Sequence, residues 1–121
     1  MNVLNVLVVD NDTQFRSVVV DLLENLGYRA SAVAGGQAAL RILDLPFNLV
    51  LTSSRMLFMT GEELAQQIQA QKGIPVIIMT SFLTEEEKLT ITETGNFILM
   101  KPFGLDELRK AIIQATLPPP P

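Results

Sequence analysis

Val3-Leu4-Asn5-Val6-Leu7-Val8-Val9-Asp10-Asn11-Asp12 is the stretch that decides the fold. Residues 3–9 are almost entirely aliphatic, and three acidic or amide residues follow at once. A short, β-branched apolar run reads as a strand, and its lack of polar alternation means that both faces are covered. Asp12 or Thr13 can then cap a helix. Phe15, Val18, Val19, Leu22, Leu23 and Leu26 recur at helical spacing and form its inward stripe, and Gly27 stops it.

Outward from this unit the same alternation recurs. Residues 28–33 form a second, weaker strand. Residues 36–43 form a short helix with Ala39, Ile42 and Leu43 inward, and Pro46 follows it. Residues 48–52 are a third apolar strand, and the helix over 61–70 buries Leu64, Ala65 and Ile68. Residues 75–79 are a fourth strand. The helix over 84–94 opens with Thr84-Glu85-Glu86-Glu87, a cap followed by acids at the positive end of the helix dipole. Residues 97–100 are a fifth strand. The helix over 105–115 turns Leu105, Leu108, Ile112 and Ala115 inward, and Met56, Met59, Met79 and Met100 read as packing.

Strands that alternate with helices imply parallel pairing with right-handed crossovers. The expected fold is therefore α/β, a doubly wound parallel sheet of five strands in the order 2-1-3-4-5 with five helices. Residues 1–117 are read as one domain. The run from Pro118 onward is stiff and extended, a proline-rich tail or linker stub over residues 118–121.

Composition excludes several chemistries. The 121 residues include no cysteine and no histidine, so no thiolate site, zinc site or Ser-His-Asp triad can be built from this chain alone. The net charge of −4 argues against nucleic-acid binding by the domain itself. No apolar run is long enough to span a bilayer, and the start lacks the charged region of a secretory signal. A cytoplasmic protein without membrane association is the plain expectation.

In an open α/β sheet the functional crevice lies beyond the carboxyl ends of the strands. Those ends carry Asp10, Asn11 and Asp12 after the first strand and Ser53, Ser54 and Arg55 after the third. Thr80 and Ser81 follow the fourth, and Lys101 and Pro102 the fifth. Each taken singly is what a loop or helix cap offers; their gathering at one edge is what suggests a site.

The segments Val6 to Asp12, Pro75 to Ser81 and Met100-Lys101-Pro102-Phe103 resemble the signature segments of response-regulator receiver domains (CheY-like, with the flavodoxin-like fold), over essentially the whole chain. Gly61 also stands where that family places a glycine. The resemblance implies phosphoryl transfer to an aspartate ending the third strand, with Mg²⁺ held by that aspartate and by acids after the first strand. A Thr or Ser and a Lys contact the phosphoryl oxygens. Residue by residue, the pattern is broken. Asp10 matches the first acid, but Asn11 stands at the second and Ser53 at the acceptor; Thr80 and Lys101 match as phosphate contacts. Leu57 replaces a proline, and the aromatic near the fifth strand falls on Ile98 or its neighbour Phe97.

A serine hydroxyl needs an adjacent base to act as a nucleophile, and only the weak bases Asp10 and Asp12 are near. Mg²⁺ binding is expected to be weak or absent, with Asp10 the only weak candidate ligand and no other cofactor. Asp12 is expected to cap the first helix. Lys101 either holds an anion or pairs with Asp10, and the pairing is the expected state. With Arg55 nearby, the crevice should be close to neutral. The function expected is that of a pseudo-receiver: a non-enzymatic module in two-component-type signalling that acts by phosphorylation-independent protein interaction. Its partners would be a signalling protein or an output domain, or a second copy through the face of the fourth helix, fifth strand and fifth helix. The alternatives are a receiver still phosphorylated at Ser53 or a neighbour, a small-ligand-binding flavodoxin-like module, and an ordinary receiver in which Ser53 was engineered. The chain lacks a glycine-rich phosphate loop after its first strand, and the departures at Asn11, Ser54 and Leu57 outweigh engineering.

Overall fold

The computed structural model describes residues 3–118, so the proline tail from Pro119 onward lies outside the described residues. The elements run β1 (Asn5–Val9), α1 (Thr13–Asn25), β2 (Arg29–Val33), α2 (Gly36–Arg41), β3 (Leu49–Ser53), α3 (Gly61–Gln71), β4 (Val76–Thr80), α4 (Glu85–Glu93), β5 (Phe97–Met100) and α5 (Leu105–Thr116). The five strands pair in parallel in the order β2-β1-β3-β4-β5, as the alternation predicts.

Two cores explain the unbroken apolar strands. Val6, Val8, Leu49, Leu51, Ile77, Met79 and Leu99 face one side, where α1 and α5 bring Val19, Leu23, Leu108 and Ile112. Leu7, Val9, Val50, Val76 and Ile78 face the other, against Leu64, Ala65 and Ile68 of α3, Ala39 of α2 and Ile91 of α4. Because a strand turns successive side chains to opposite faces, a strand covered on both has no polar face to show. Phe97 packs into the α1/α5 layer and Ile98 into the α4 layer.

Two inward assignments are corrected. Val18 is 53% exposed. At 100° per residue it lies at the edge of the stripe centred on Val19, Leu22 and Leu26, and the sheet does not reach it. Leu105 is exposed because it opens α5 beyond the end of β5 at Met100, where no strand lies beneath it. Met79 is buried and Met56 and Met59 pack against the core, but Met100 is exposed. The helix after Gly35 is shorter than its sequence pattern, ending at Arg41, although Leu43 remains buried.

The helix ends follow local chemistry. The Asp12 side chain accepts from Phe15 N and caps α1. Gly27, at φ 91°, closes the other end, with Tyr28 N donating to Leu23 O and Gly27 N to Glu24 O. Thr60 and Thr84 each form a reciprocal capping box, with Glu63 and Glu87 respectively.

Candidate functional site

Asp10, Asn11, Asp12, Ser53, Arg55, Thr80, Ser81 and Lys101 line one crevice of about 260 Å³ at the carboxyl edge of the sheet. Of the strand-end residues singled out in the sequence, the fold brings all but Ser54 and Pro102 into this crevice. The sheet ladder runs slightly past the strand ends: Asp10 N bonds to Val33 O, Ser54 N to Met79 O and Lys101 N to Thr80 O. Positions just beyond the strands therefore keep the alternation of the strands themselves.

That alternation sorts the crevice. Asp10 continues the face of Val6 and Val8, Ser53 that of Leu49 and Leu51, and Lys101 that of Leu99, all on the α1/α5 side. These three side chains meet. The Lys101 ammonium lies 3.0 Å from Asp10 Oδ2 and donates to Ser53 Oγ at 3.4 Å. Thr80 continues the opposite face, that of Val76 and Ile78, and its hydroxyl donates to Phe82 O at 2.7 Å within its own loop. The two residues matched as phosphate contacts therefore do not converge on Ser53 in the same way.

Asp10 has both carboxylate oxygens engaged. Oδ1 accepts from Asp12 N at 2.9 Å, and Oδ2 holds Lys101. Its own carbonyl accepts from the Arg16 guanidinium. The expected pairing across the crevice is thus present, with the Asp10 side chain 5% exposed and that of Lys101 21% exposed. Asp10, Asp12, Arg55 and Lys101 contribute two charges of each sign to the lining, which makes the crevice neutral in sum.

Asn11 acts as a clasp between loops. Its Nδ2 donates to Ala34 O, after β2, and its Oδ1 accepts from Leu57 N at 2.8 Å, after β3. Ser53 is 5% exposed, and besides Lys101 its hydroxyl reaches only Arg55 O, at 3.4 Å. No carboxylate accepts from Ser53 among the described residues. Ser54 Oγ donates to Glu62 Oε1 at 2.8 Å and joins the loop to the start of α3.

Gly61 explains how that loop sits so close to the strand. Its N–H donates to Ser54 O at 2.8 Å, and a Cβ on it would lie 2.2 Å from Ser53 O. Only a residue without a side chain lets α3 start against the backbone of β3.

Three aromatic contacts escaped the sequence reading. The Lys101 ammonium stands 4.2 Å from the Phe15 ring centroid, and Phe15 meets Phe103 edge-on at 5.8 Å. Phe15 was legible only as one member of the α1 stripe, and its partners come from residues remote in sequence. The Arg55 guanidinium lies over the Phe82 ring at 5.8 Å, at the crevice rim. Phe58, on the loop between Ser53 and Gly61, is 97% exposed with φ 68°.

No helix among the described residues is long and apolar enough to cross a membrane. A family model described as the response regulator receiver domain matches residues 6–113. The transcriptional regulatory protein ZraR of Escherichia coli K12 is 34% identical over 115 residues, which cover 93% of this chain and 26% of that protein. The probable transcriptional regulator ycf27 of Cyanophora paradoxa is 30% identical over 114 residues, covering 93% and 48% respectively. The chain thus spans between about a quarter and a half of these curated relatives. Among solved structures, the chemotaxis protein CheY4 of Vibrio cholerae superposes with a TM-score of 0.86 at 26% identity, covering 94% of this chain and 99% of that one.

Proposed function

Because this chain belongs to the response-regulator receiver family, we propose that it is a receiver of two-component-type signalling that works by protein contact without accepting phosphate. The observation that carries the reading is the end of β3, where the position matched to the acceptor is Ser53, buried beside the Lys101 ammonium. An acyl phosphate forms on an ionised carboxylate. A serine there needs a base within hydrogen-bond reach, and Asp10, the nearest candidate, already holds Lys101.

The divalent cation implied by the family does not fit these residues. A hard cation takes free oxygen ligands, carboxylates above all. Both Asp10 oxygens are engaged, one Asp12 oxygen caps α1, and Asn11 is bonded into two neighbouring loops. No group of three acidic residues is placed to hold a metal among the described residues. Lys101 stands as the site's internal counter-charge, so the crevice keeps its shape without metal or phosphate. Signalling then runs through a protein partner in the cytoplasm, an output domain or a second copy. The face of α4, β5 and α5, which exposes Leu89, Met100 and Leu105, is the surface offered.

The test is chemical. The chain is incubated with acetyl phosphate and Mg²⁺ and its intact mass is followed. No phosphoryl adduct is expected. Ser53→Asp should take up label only partly, and Ser53→Asp combined with Asn11→Asp more fully, because the second change restores a carboxylate at the metal edge. Stoichiometric phosphorylation of the unaltered chain at Ser53 or a neighbour would overturn the proposal.

A further inference from the structure

We propose that two copies of this chain associate through the mouths of their crevices, with Phe58 and Phe82 at the centre of the contact. This face is distinct from that of α4, β5 and α5. The inference rests on the reading of an unphosphorylated crevice, because a neutral lining is what lets two mouths approach.

The chain has six phenylalanines. Phe15, Phe47, Phe97 and Phe103 pack against the two cores. Phe58 and Phe82 are exposed, and they stand on the two loops that flank the crevice, β3–α3 and β4–α4. Met59 N donates to Leu57 O at 2.8 Å across Phe58, whose φ is 68°. This is the strained, positive-φ kind of γ-turn, a backbone that suits glycine or asparagine and that a bulky residue rarely adopts. The loop is pinned on both sides of the turn. Leu57 N is held by Asn11 Oδ1, and Gly61 N by Ser54 O, each at 2.8 Å. Thr80 pins Phe82 in turn, its hydroxyl donating to Phe82 O and accepting from Phe82 N. Polar groups of the site thus hold two aromatic rings out toward water. Phe58 is unfavourable in both backbone and solvation, and strain of this sort clusters at functional sites.

The same face matches itself in charge. Asp12 and Arg55 are exposed, line the mouth and carry opposite signs. The ion pairs among the described residues are Asp10–Lys101 and Asp106–Arg109, so neither rim charge is paired there. A two-fold axis through the mouth sets Arg55 of each copy toward Asp12 of the other, as a surface that must serve both partners requires. The neutral sum of the lining removes net repulsion between the two mouths. The Arg55 guanidinium already lies over Phe82 at 5.8 Å, and Phe58 of the second copy would cover its other side.

The area is in proportion. Leu57, Phe58 and Phe82, at 68%, 97% and 61% exposure, offer roughly 400 Å² of apolar surface per copy. That is about half of the ~800 Å² that each partner of a stable complex buries, which leaves the other half to a polar rim.

The whole chain, without phosphodonor, is followed by sedimentation equilibrium at rising concentration, and its intact mass is recorded. A monomer–dimer equilibrium is expected, with concentration-dependent nitrogen-15 NMR shifts confined to the loops around the mouth. Phe58→Asn should raise the dissociation constant about tenfold, as loss of a central aromatic anchor does. The same change should raise the melting temperature of the dilute monomer by about 3 °C, because asparagine accepts the left-handed backbone. Weaker association in a more stable fold is a result that no folding defect produces. Arg55→Glu should abolish association by turning the mouth acidic. Asp12→Asn, which keeps the cap of α1, should weaken it severalfold. A chain that stays monomeric up to its solubility limit assigns the face to a different protein and overturns the proposal. So does a dimer that Met100→Glu dissolves and Phe58→Asn leaves intact. A phosphoryl adduct in the mass would count against the reading of Ser53 and not against this face, which is judged on the unmodified chain.

Discussion

Lys101 and Asp10 are ninety-one positions apart in the chain and 3.0 Å apart in space. Truncating Lys101→Met would leave a buried carboxylate without its partner. That should cost about 3 kcal/mol by urea unfolding, the low end for such a loss because the ammonium is partly exposed. Adding Asp10→Asn should restore most of that stability, since no lone charge then remains. A stable Lys101→Met single variant would refute the role given to this pair. Gly61 and Gly36 offer a second contrast. A methyl on Gly61 meets the backbone carbonyl of Ser53, which cannot move without moving β3; one on Gly36 meets the flexible end of Met59. Gly61→Ala should therefore lose about 3 kcal/mol, and Gly36→Ala about 1 or less, compared by thermal unfolding. Similar losses for both would show that close approach is not what holds residue 61 as glycine.

Among the helices of nine residues or more, α4 buries the least. Its sequence, EEEKLTITE, buries only Ile91, whereas the longer α3 buries Leu64, Ala65 and Ile68 besides Gly61. Thr90, Thr92 and Thr94 turn their hydroxyls back onto the carbonyls of the preceding turn, which competes with the helix rather than supporting it. Helices depend mainly on a packed face, so α4 should open first. Amide hydrogen exchange should find α4 faster than α3 and α5; slower exchange in α4 would contradict this. The Thr84 capping box then matters more, and Thr84→Ala should remove about 1 kcal/mol. The loss should appear in the exchange of α4 before it appears elsewhere.

At the scale of the molecule, the closed charge arrangement of the crevice predicts a protein indifferent to phosphodonors. Sedimentation at rising concentration should give the same association state with and without acetyl phosphate and Mg²⁺. If a dimer forms through α4, β5 and α5, Met100→Glu should dissociate it. A shift of association by phosphodonor alone would contradict phosphate-independent signalling. The alternation of apolar runs with helical stripes determined the sheet order, the layers and the edge at which Asp10, Ser53, Thr80 and Lys101 gather. It did so because periodicity, caps and turn glycines act over a few neighbouring residues, and few topologies satisfy them. Tertiary structure alone decided the contacts inside that edge. Strand parity and register set Asp10, Ser53 and Lys101 on one side and sent Thr80 into its own loop. Loop packing turned Asn11 toward Ala34 and Leu57, and brought Phe15 beneath the Lys101 ammonium. The reach of the sheet left Val18 outside the core, although its spacing fits the α1 stripe. Sequence period says which way a side chain faces along its own element; what it meets there depends on elements far away in the chain.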